Sequence, residues 1–178
     1  MSRRVVLVLG GTRSGKSRFA LTRAADLAAG RAVTFVATAW RGDPELEARI
    51  AWHVAARPTD WPTIEAGPDL AAAVQAAPPD GVVLIDGLTL WLSGLVGDRA
   101  LDPDAILTGP LADLRAVVAS RSGSTVLVSD EIGLGIVPLD PGTRAFRDVL
   151  GLSHQALAEL ADEVVFLVAG LPIVLKSA

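Results

Sequence analysis

The feature that most constrains the fold of this chain is a glycine-rich octapeptide near its N-terminus. Residues 10–17 read Gly-Gly-Thr-Arg-Ser-Gly-Lys-Ser and fit the phosphate-loop pattern GxxxxGK[ST]. An apolar, β-branched run at 5–9 precedes the pattern and a helical pattern at 17–29 follows it. This is the order of strand, loop and helix that a phosphate loop requires. The alternative is an ordinary glycine- and serine-rich turn before a helix, and the flanking segments favour the phosphate loop.

The residue types of this loop suit phosphate chemistry. Glycines let the backbone turn so that successive N–H groups, together with the helix N-terminus, point at phosphate oxygens. We expect Lys16 to place its charge at the β and γ phosphates and Ser17 to offer its hydroxyl to Mg²⁺. The sequence therefore predicts a site for a nucleoside triphosphate. Its predicted contacts in the loop are Gly10, Gly11, Thr12, Arg13, Ser14, Gly15, Lys16 and Ser17.

Composition narrows the remaining classes of protein. The 178 residues fit a single domain, residues 1–178. The absence of cysteine excludes disulfides, thiolate metal sites and cysteine nucleophiles. A formal net charge of −4 argues against general nucleic-acid binding through a basic surface. No apolar run approaches the roughly 20 residues of a membrane helix, and no cleavage site follows Arg3 and Arg4. We expect a soluble, cytoplasmic protein without membrane insertion.

A second strand and a well-marked helix follow. Residues 32–38 read as a buried strand, which places Thr38 at the ligand-bearing edge of an open sheet. Residues 43–57 read as a helix on which Arg49, His53 and Arg57, spaced by four, share one face. Flanking arginines favour a neutral imidazole and attract phosphate, so this face suits a nucleophile or base acting on a phosphate. The spacing equally fits a solvated face, with Glu45 pairing Arg49 and His53 as a bystander.

Further strands complete an α/β pattern. The apolar run at 82–85 ends in Asp86, which is expected to meet the Mg²⁺ of a nucleotide through water, unless it caps the next turn. The strand at 125–129 leads into Asp130-Glu131 and a loop with two glycines at 132–138, which suggests close backbone approach to a ligand. The long helix after Asp140 carries His154, which we expect to be structural or a ligand contact rather than catalytic.

Strands and helices alternate along the chain and end in a hairpin at 164–175. The pattern predicts a single-domain P-loop NTPase fold, with a mostly parallel sheet, helices on both faces and the active site at the carboxyl edge.

These residues together resemble a specific family, the bifunctional adenosylcobinamide kinase / adenosylcobinamide-phosphate guanylyltransferases of cobalamin assembly. The resemblance extends over nearly the whole chain as an ordered series of motifs. It rests on residues 10–17; Ala37-Thr38-Ala39; Arg49-Ile50, His53 and Arg57-Pro58; Trp61, Thr63 and Glu65; Asp86 and Leu88-Thr89-Leu90-Trp91; Ser129 and Glu131; residues 133–138; Arg144 and Phe146-Arg147-Asp148; and Gly170-Leu171-Pro172.

The resemblance implies two reactions. ATP or GTP phosphorylates the hydroxyl of the aminopropanol arm of adenosylcobinamide, and GMP from GTP is then attached to that phosphate through a covalent GMP-histidine, with release of pyrophosphate. By motif position that histidine is His53, and Lys16 is the second catalytic residue. The resemblance also implies Mg²⁺, a homotrimer, and GTP contacts from Ala37, Thr38, Ala39, Val54, Ala55, Ala56, Arg57 and Glu65, while Arg13, Arg49 and Arg57 are candidate phosphate clamps.

Three positions depart from the family pattern, namely Gly87, Gly94 and Asp130. Asp130 stands where asparagine is usual and is expected to add negative charge near the substrate loop.

Two other functions stay open. A single-activity kinase would have no need of a guanylylated histidine. A GTP-dependent switch would need the Asn/Thr-Lys-x-Asp signature, and neither Lys16 nor Lys176 stands in one.

Overall fold

The computed structural model describes residues 3–38, 58–97 and 102–177. Within them the chain forms seven strands and six helices. The strands are β1 (Val5–Gly10), β2 (Val33–Ala37), β3 (Thr63–Glu65), β4 (Val82–Asp86), β5 (Thr125–Asp130), β6 (Glu163–Val168) and β7 (Leu171–Lys176). The helices are α1 (Lys16–Ala28), α2 (Leu70–Gln75), α3 (Leu88–Gly97), α4 (Pro103–Thr108), α5 (Pro110–Ser120) and α6 (Pro141–Leu160).

The strands form one sheet in the order β3-β2-β4-β5-β1-β6-β7. All neighbouring pairs are parallel except the hairpin β6-β7, which is antiparallel. The register pairs Gly10 with Asp130 and Ala37 with Asp86, so the carboxyl ends of four strands lie at one edge. This confirms the predicted fold, including the mostly parallel sheet and the C-terminal hairpin.

Alternation along each strand divides the core into two layers. Val6, Leu84 and Val128 are buried on the face that carries α1. Leu7 and Leu127 are buried on the other face, against α2, α3, α4, α5 and α6. Because successive strand side chains point to opposite faces, residues that follow one another at the end of a strand reach different layers.

Aspartates and prolines fix where the helices begin. Asp69, Asp102 and Asp140 each accept a hydrogen bond from the backbone N–H three residues on, at 2.9, 2.8 and 2.6 Å. Pro103 and Pro141 occupy the first helical position after two of these caps, where a missing N–H costs nothing. The start of α6 confirms the long helix that the sequence predicts after Asp140.

A buried arginine holds the turn that leads into β4. The guanidinium of Arg121 donates to the carbonyls of Val74, Pro78 and Gly81 at 3.1, 2.7 and 3.0 Å. Burial lowers the pKa of Arg121, and the charge of Asp80 partly opposes that shift. The arginine thus satisfies carbonyls that would otherwise be unpaired, and it fixes the strand that presents Asp86 at the far end.

The predicted helix at 43–57 lies outside the described residues. Among the helices that the structure does describe, none has the length and apolar character needed to span a bilayer.

Candidate active site

The phosphate loop connects β1 to α1 and is supported from behind by the C-terminal hairpin. Gly15 has a φ of 98°, and a Cβ added there would lie 3.1 Å from Cα of Gly170. The Gly170 N–H donates to the Ser14 carbonyl at 2.9 Å. A Cβ on Gly10 would lie 2.6 Å from the Leu167 carbonyl oxygen. The glycines are therefore required both for the turn of the loop and for its contact with the hairpin.

Lys16 lies at the start of α1 with its ammonium group turned back over the loop. Its Nζ donates to the Gly11 carbonyl at 3.0 Å and lies 2.6 Å from Oδ1 of Asp130. Only 10% of the lysine side chain is exposed, against 35% for Asp130. The sequence predicts that Asp130 adds negative charge near the substrate loop, and the structure pairs this carboxylate with the phosphate-binding lysine.

Ser17 and Asp86, the two predicted metal ligands, lie next to each other. Ser17 Oγ donates to Oδ1 of Asp86 over a long 3.5 Å, which joins the first turn of α1 to the end of β4. A hydroxyl and a carboxylate beside a phosphate loop fit Mg²⁺, which usually takes one or two protein oxygens together with phosphate oxygens and water. The described residues contain no cluster of three or more metal-ligating side chains, so phosphate oxygens would have to complete such a site.

The ends of β2 and β3 complete the described part of this edge. Thr38 is buried and its hydroxyl lies 2.7 Å from the Gly87 carbonyl and 3.0 Å from the Asp86 carbonyl, which ties β2 to β4. Glu65 pairs in register with Ala37 and is exposed. Ala37, Thr38 and Glu65 therefore share the edge with the phosphate loop.

Part of the predicted site falls outside the described residues. These positions are Ala39, Arg49, His53, Val54, Ala55, Ala56 and Arg57. Their roles, including the nucleophilic role of His53, stay predictions.

A second polar cluster lies on the other side of β5, between α3 and α6. Nε2 of His154 is 2.8 Å from Ser129 Oγ, and Ser129 Oγ is 3.2 Å from Thr89 Oγ1. Nδ1 of His154 lies 3.4 Å from Oε2 of Glu131. Burial lowers the pKa of His154, and the charges of Glu131 and Asp130 oppose that shift without reversing it. Burial therefore favours the neutral form of His154, and its imidazole is joined to a chain of polar groups.

The glycine loop after β5 is held by two arginines of α6. Arg147 donates to the carbonyls of Gly133 and Ile136 at 2.6 and 2.9 Å, and Arg144 donates to the carbonyl of Leu139 at 2.6 Å. The side chains of Leu134, Ile136 and Leu139 are almost fully exposed. Beside the loop lies a cleft of about 260 Å³, lined by Gly133, Val137, Arg144, Arg147 and Asp148. The loop is thus fixed through its backbone and presents apolar side chains outward.

Sequence reasoning missed three of these relations. It did not find the ion pair of Lys16 with Asp130, the support of the loop by Gly170, or the cluster around His154. The one available signal was the departure at Asp130, because a carboxylate at the end of a strand beside β1 lies within reach of the phosphate loop.

The sheet order, the phosphate loop and the Ser17–Asp86 contact define a P-loop protein that binds nucleoside triphosphates. Solved structures support the fold. The flagellar accessory protein FlaH from Methanocaldococcus jannaschii aligns with a TM-score of 0.54 at 14% identity, over 98% of this chain and 78% of that chain. A KaiC-like protein from Pyrococcus horikoshii OT3 aligns with a TM-score of 0.50 at 16% identity, over 92% of this chain and 70% of that chain.

Sequence comparison identifies the family. The sequence model of the cobinamide kinase / cobinamide phosphate guanyltransferase family matches residues 6–175. The bifunctional adenosylcobalamin biosynthesis protein CobP of Pseudomonas aeruginosa is 44% identical over 171 residues, 96% of each chain. The bifunctional adenosylcobalamin biosynthesis protein CobU of Escherichia coli is 34% identical over 183 residues, 97% of this chain and 99% of that protein. The chain belongs to the cobinamide kinase / cobinamide phosphate guanyltransferase family.

Proposed function

We propose that the protein carries out both reactions of its family on one corrinoid. In the first, ATP or GTP phosphorylates the hydroxyl of adenosylcobinamide. In the second, GMP from GTP is joined to the new phosphate, giving adenosylcobinamide-GDP and pyrophosphate. The observation that carries this proposal is the family match over residues 6–175, together with a phosphate loop whose lysine is already turned over the loop.

In the kinase reaction the chain's own groups hold the nucleotide. The N–H groups of the loop and the N-terminus of α1 face the phosphates, and Lys16 exchanges Asp130 for the β and γ oxygens. Ser17 and Asp86 are the residues that would hold Mg²⁺. When bound there, the ion neutralises charge that develops on the transferring phosphoryl group.

In the guanylyl transfer we assign the nucleophile to His53. A neutral imidazole nitrogen forms a bond to the α-phosphorus of GTP, and the bond from that phosphorus to the pyrophosphate oxygen breaks. Lys16 stabilises the departing pyrophosphate, and Arg13, Arg49 and Arg57 are the proposed clamps on the α-phosphate. An oxygen of cobinamide phosphate then attacks the phosphoramidate, which restores the free histidine.

The remaining assignments follow from the family. We propose that GTP is also contacted by Ala37, Thr38, Ala39, Val54, Ala55, Ala56 and Glu65, that the protein is cytoplasmic, and that it assembles as a homotrimer. The edge strand β7 supports the proposal of assembly, because four of its apolar residues are at least half exposed. They are Leu171, Ile173, Val174 and Leu175.

Labelling with GTP tests the second reaction. The purified protein is incubated with Mg²⁺ and GTP labelled at the α-phosphate, then denatured and mapped by mass spectrometry, with His53→Ala treated in parallel. We expect an acid-labile GMP adduct on the peptide that contains His53 and none on the variant. His154, the other histidine of the chain, serves as an internal control.

An adduct on the His154 peptide would contradict the assignment of the nucleophile. If no adduct formed while phosphoryl transfer to adenosylcobinamide continued, the protein would be a kinase only.

A further inference from the structure

The end of β5 sends consecutive side chains to opposite sides of the sheet. Asp130 points to the phosphate loop, where it pairs with Lys16. Ser129 and Glu131 point to the face that carries α3 and α6, where both approach His154. Two neighbouring carboxylates therefore lie at the same edge of the sheet, and the proposed function gives a role only to the side on which Asp130 lies.

The backbone N–H of Asp130 favours one direction for the hydrogen bonds of the polar chain on the α6 side. The Asp130 N–H can only donate, so Thr89 Oγ1 accepts from it at 2.8 Å. The hydroxyl hydrogen of Thr89 is then available to Ser129 Oγ at 3.2 Å, and that of Ser129 to His154 Nε2 at 2.8 Å.

A neutral imidazole that accepts at Nε2 carries its proton on Nδ1. Nδ1 lies 3.4 Å from Oε2 of Glu131, and this buried atom makes no hydrogen bond within the described residues. The opposite direction would turn the lone pair of Nδ1 toward a carboxylate, which is repulsive. The geometry therefore favours a proton on Nδ1, the ring nitrogen that lies beside Glu131.

Glu131 lies between the phosphate loop and the cleft on the α6 side. Its N–H donates to the carbonyl of Gly10, the first residue of the loop, at 3.0 Å. Its Oε1 accepts the N–H of Gly133, which lines the cleft, at 2.5 Å. The side chain is 21% exposed. A carboxylate that is held at one oxygen by the backbone and approached at the other by an imidazole is restricted in orientation but still accessible.

We propose that Glu131 is the general base of the kinase reaction and that His154, Ser129 and Thr89 are positioning residues for its carboxylate. This inference rests on the proposed function, because it requires an alcohol as the phosphoryl acceptor. Oε2 keeps a second lone pair beside the imidazole, and it takes the proton from the acceptor hydroxyl.

The acceptor oxygen forms its bond to the γ-phosphorus as the bond from that phosphorus to the bridging oxygen breaks. The nucleoside diphosphate leaves at Lys16, and the proton passes from Glu131 to water when the products dissociate. Asp130 is the less suitable base, because its carboxylate loses its partner when Lys16 moves to the phosphates, whereas Glu131 keeps the Gly133 N–H and the neighbouring imidazole.

Glu131→Gln tests the base directly, because glutamine keeps the shape and loses the basicity. We expect the kinase kcat to fall by about 10²- to 10⁴-fold, with the KM for the nucleotide unchanged. Formation of the GMP adduct from GTP should match the wild type, because that step uses no acceptor hydroxyl. Glu159→Gln, which removes an exposed carboxylate from α6, is the matched control and should leave both rates at the wild-type value.

The positioning residues need a readout that a purely structural role would not move. Thr89→Val and Ser129→Ala should lower the kinase kcat by about tenfold, as loss of outer partners does at other sites, and leave adduct formation intact. Thr89→Ser should restore the rate. In untagged His53→Asn protein, His154 is the remaining histidine, and ¹⁵N NMR should show its imidazole protonated at Nδ1.

Several outcomes would overturn the inference. These are a Glu131→Gln kinase rate close to wild type, an equal loss of both half-reactions in that variant, or a His154 protonated at Nε2. If the wild-type protein transferred neither a phosphoryl nor a guanylyl group, the proposed function would be wrong instead, and the NMR measurement would still test the polar chain.

Discussion

The two sides of the end of β5 differ in how far they can be read from the sequence. On the α1 side, Lys16 and Ser17 belong to one contiguous motif, and the motif itself states which atoms meet a phosphate. On the α6 side, Thr89, Ser129 and His154 come from three distant segments and meet only because the sheet brings α3 and α6 together over β5. The spacing of residues along the chain predicts a functional site when neighbouring residues of one motif form it. It does not predict a site whose residues come together only through tertiary packing.

Lys16→Ala should have the largest effect on the α1 side, because both proposed reactions have their leaving group at this lysine, a nucleoside diphosphate in the first and pyrophosphate in the second. We expect kcat/KM for the kinase and for guanylylation to fall by about 10³-fold or more, since a charge at the transferring phosphates is lost. Steady-state assays of both half-reactions measure the change. Lys176→Ala, which removes the other lysine of the chain from exposed β7, is the control. A loss confined to one half-reaction would contradict a shared phosphate site.

Gly15→Ala should damage the α1 side and spare the α6 side. An alanine would have to adopt a φ of 98° and place its Cβ 3.1 Å from Gly170, which costs about 1–3 kcal/mol of strain. We expect nucleotide binding, measured by calorimetry, to weaken by about 5- to 150-fold if this strain falls on the bound state, while the NMR signal of His154 stays unchanged. Gly135→Ala is a suitable control, because a Cβ there would meet nothing within 4 Å.

Asp130→Asn should strengthen nucleotide binding on the α1 side, because it removes a carboxylate that competes with the phosphates for Lys16. The ion pair with Lys16 has to open when a phosphate binds, and an amide holds the ammonium less strongly. A partly exposed pair is worth up to about 1 kcal/mol, so the Kd for the nucleotide should fall by about threefold. The titration is repeated at high salt, where the difference between the two proteins should shrink. Weaker binding by the variant would show that Asp130 supports the nucleotide.

The pH dependence of the free energy of unfolding should report the burial of His154 on the α6 side. Burial holds the pKa of His154 below its ordinary value of 6.5, despite the opposing charges of Glu131 and Asp130. The unfolded chain therefore binds a proton that the folded protein resists, so the stability contribution is complete above pH 6.5 and is lost as the pH falls below it. Denaturant unfolding of the wild type and of His154→Gln should show a difference that narrows below pH 6.5. A constant difference would indicate that His154 is not a neutral buried group.

Much of the fold could be predicted because the sequence is locally consistent. Apolar runs of strand length, the aspartate caps before Pro103 and Pro141, and the order of elements already specify a parallel sheet with a C-terminal hairpin. The contact of Ser17 with Asp86 could also be predicted, because parallel strands end at the same edge.

The pairing of Lys16 with Asp130 could not be predicted in the same way. It depends on β5 lying beside β1 rather than elsewhere in the sheet, and the strand order is not written in the spacing of the strands. The direction of the polar chain depends on which hydroxyl accepts from the Asp130 N–H, and only three-dimensional contacts provide that information. The motif that contains His53 could be identified from the sequence, but the position of that histidine relative to the phosphate loop could not.

The most direct test of the two proposed activities is mass spectrometry of the corrinoid after incubation with the purified protein, Mg²⁺ and GTP. We expect adenosylcobinamide to gain first a phosphate and then a GMP group, with pyrophosphate released in proportion to the second product. His53→Ala should stop the reaction at the phosphorylated corrinoid. Two results would contradict the bifunctional mechanism. One is a corrinoid that the folded wild-type protein leaves unmodified, and the other is complete conversion to the GDP derivative by His53→Ala.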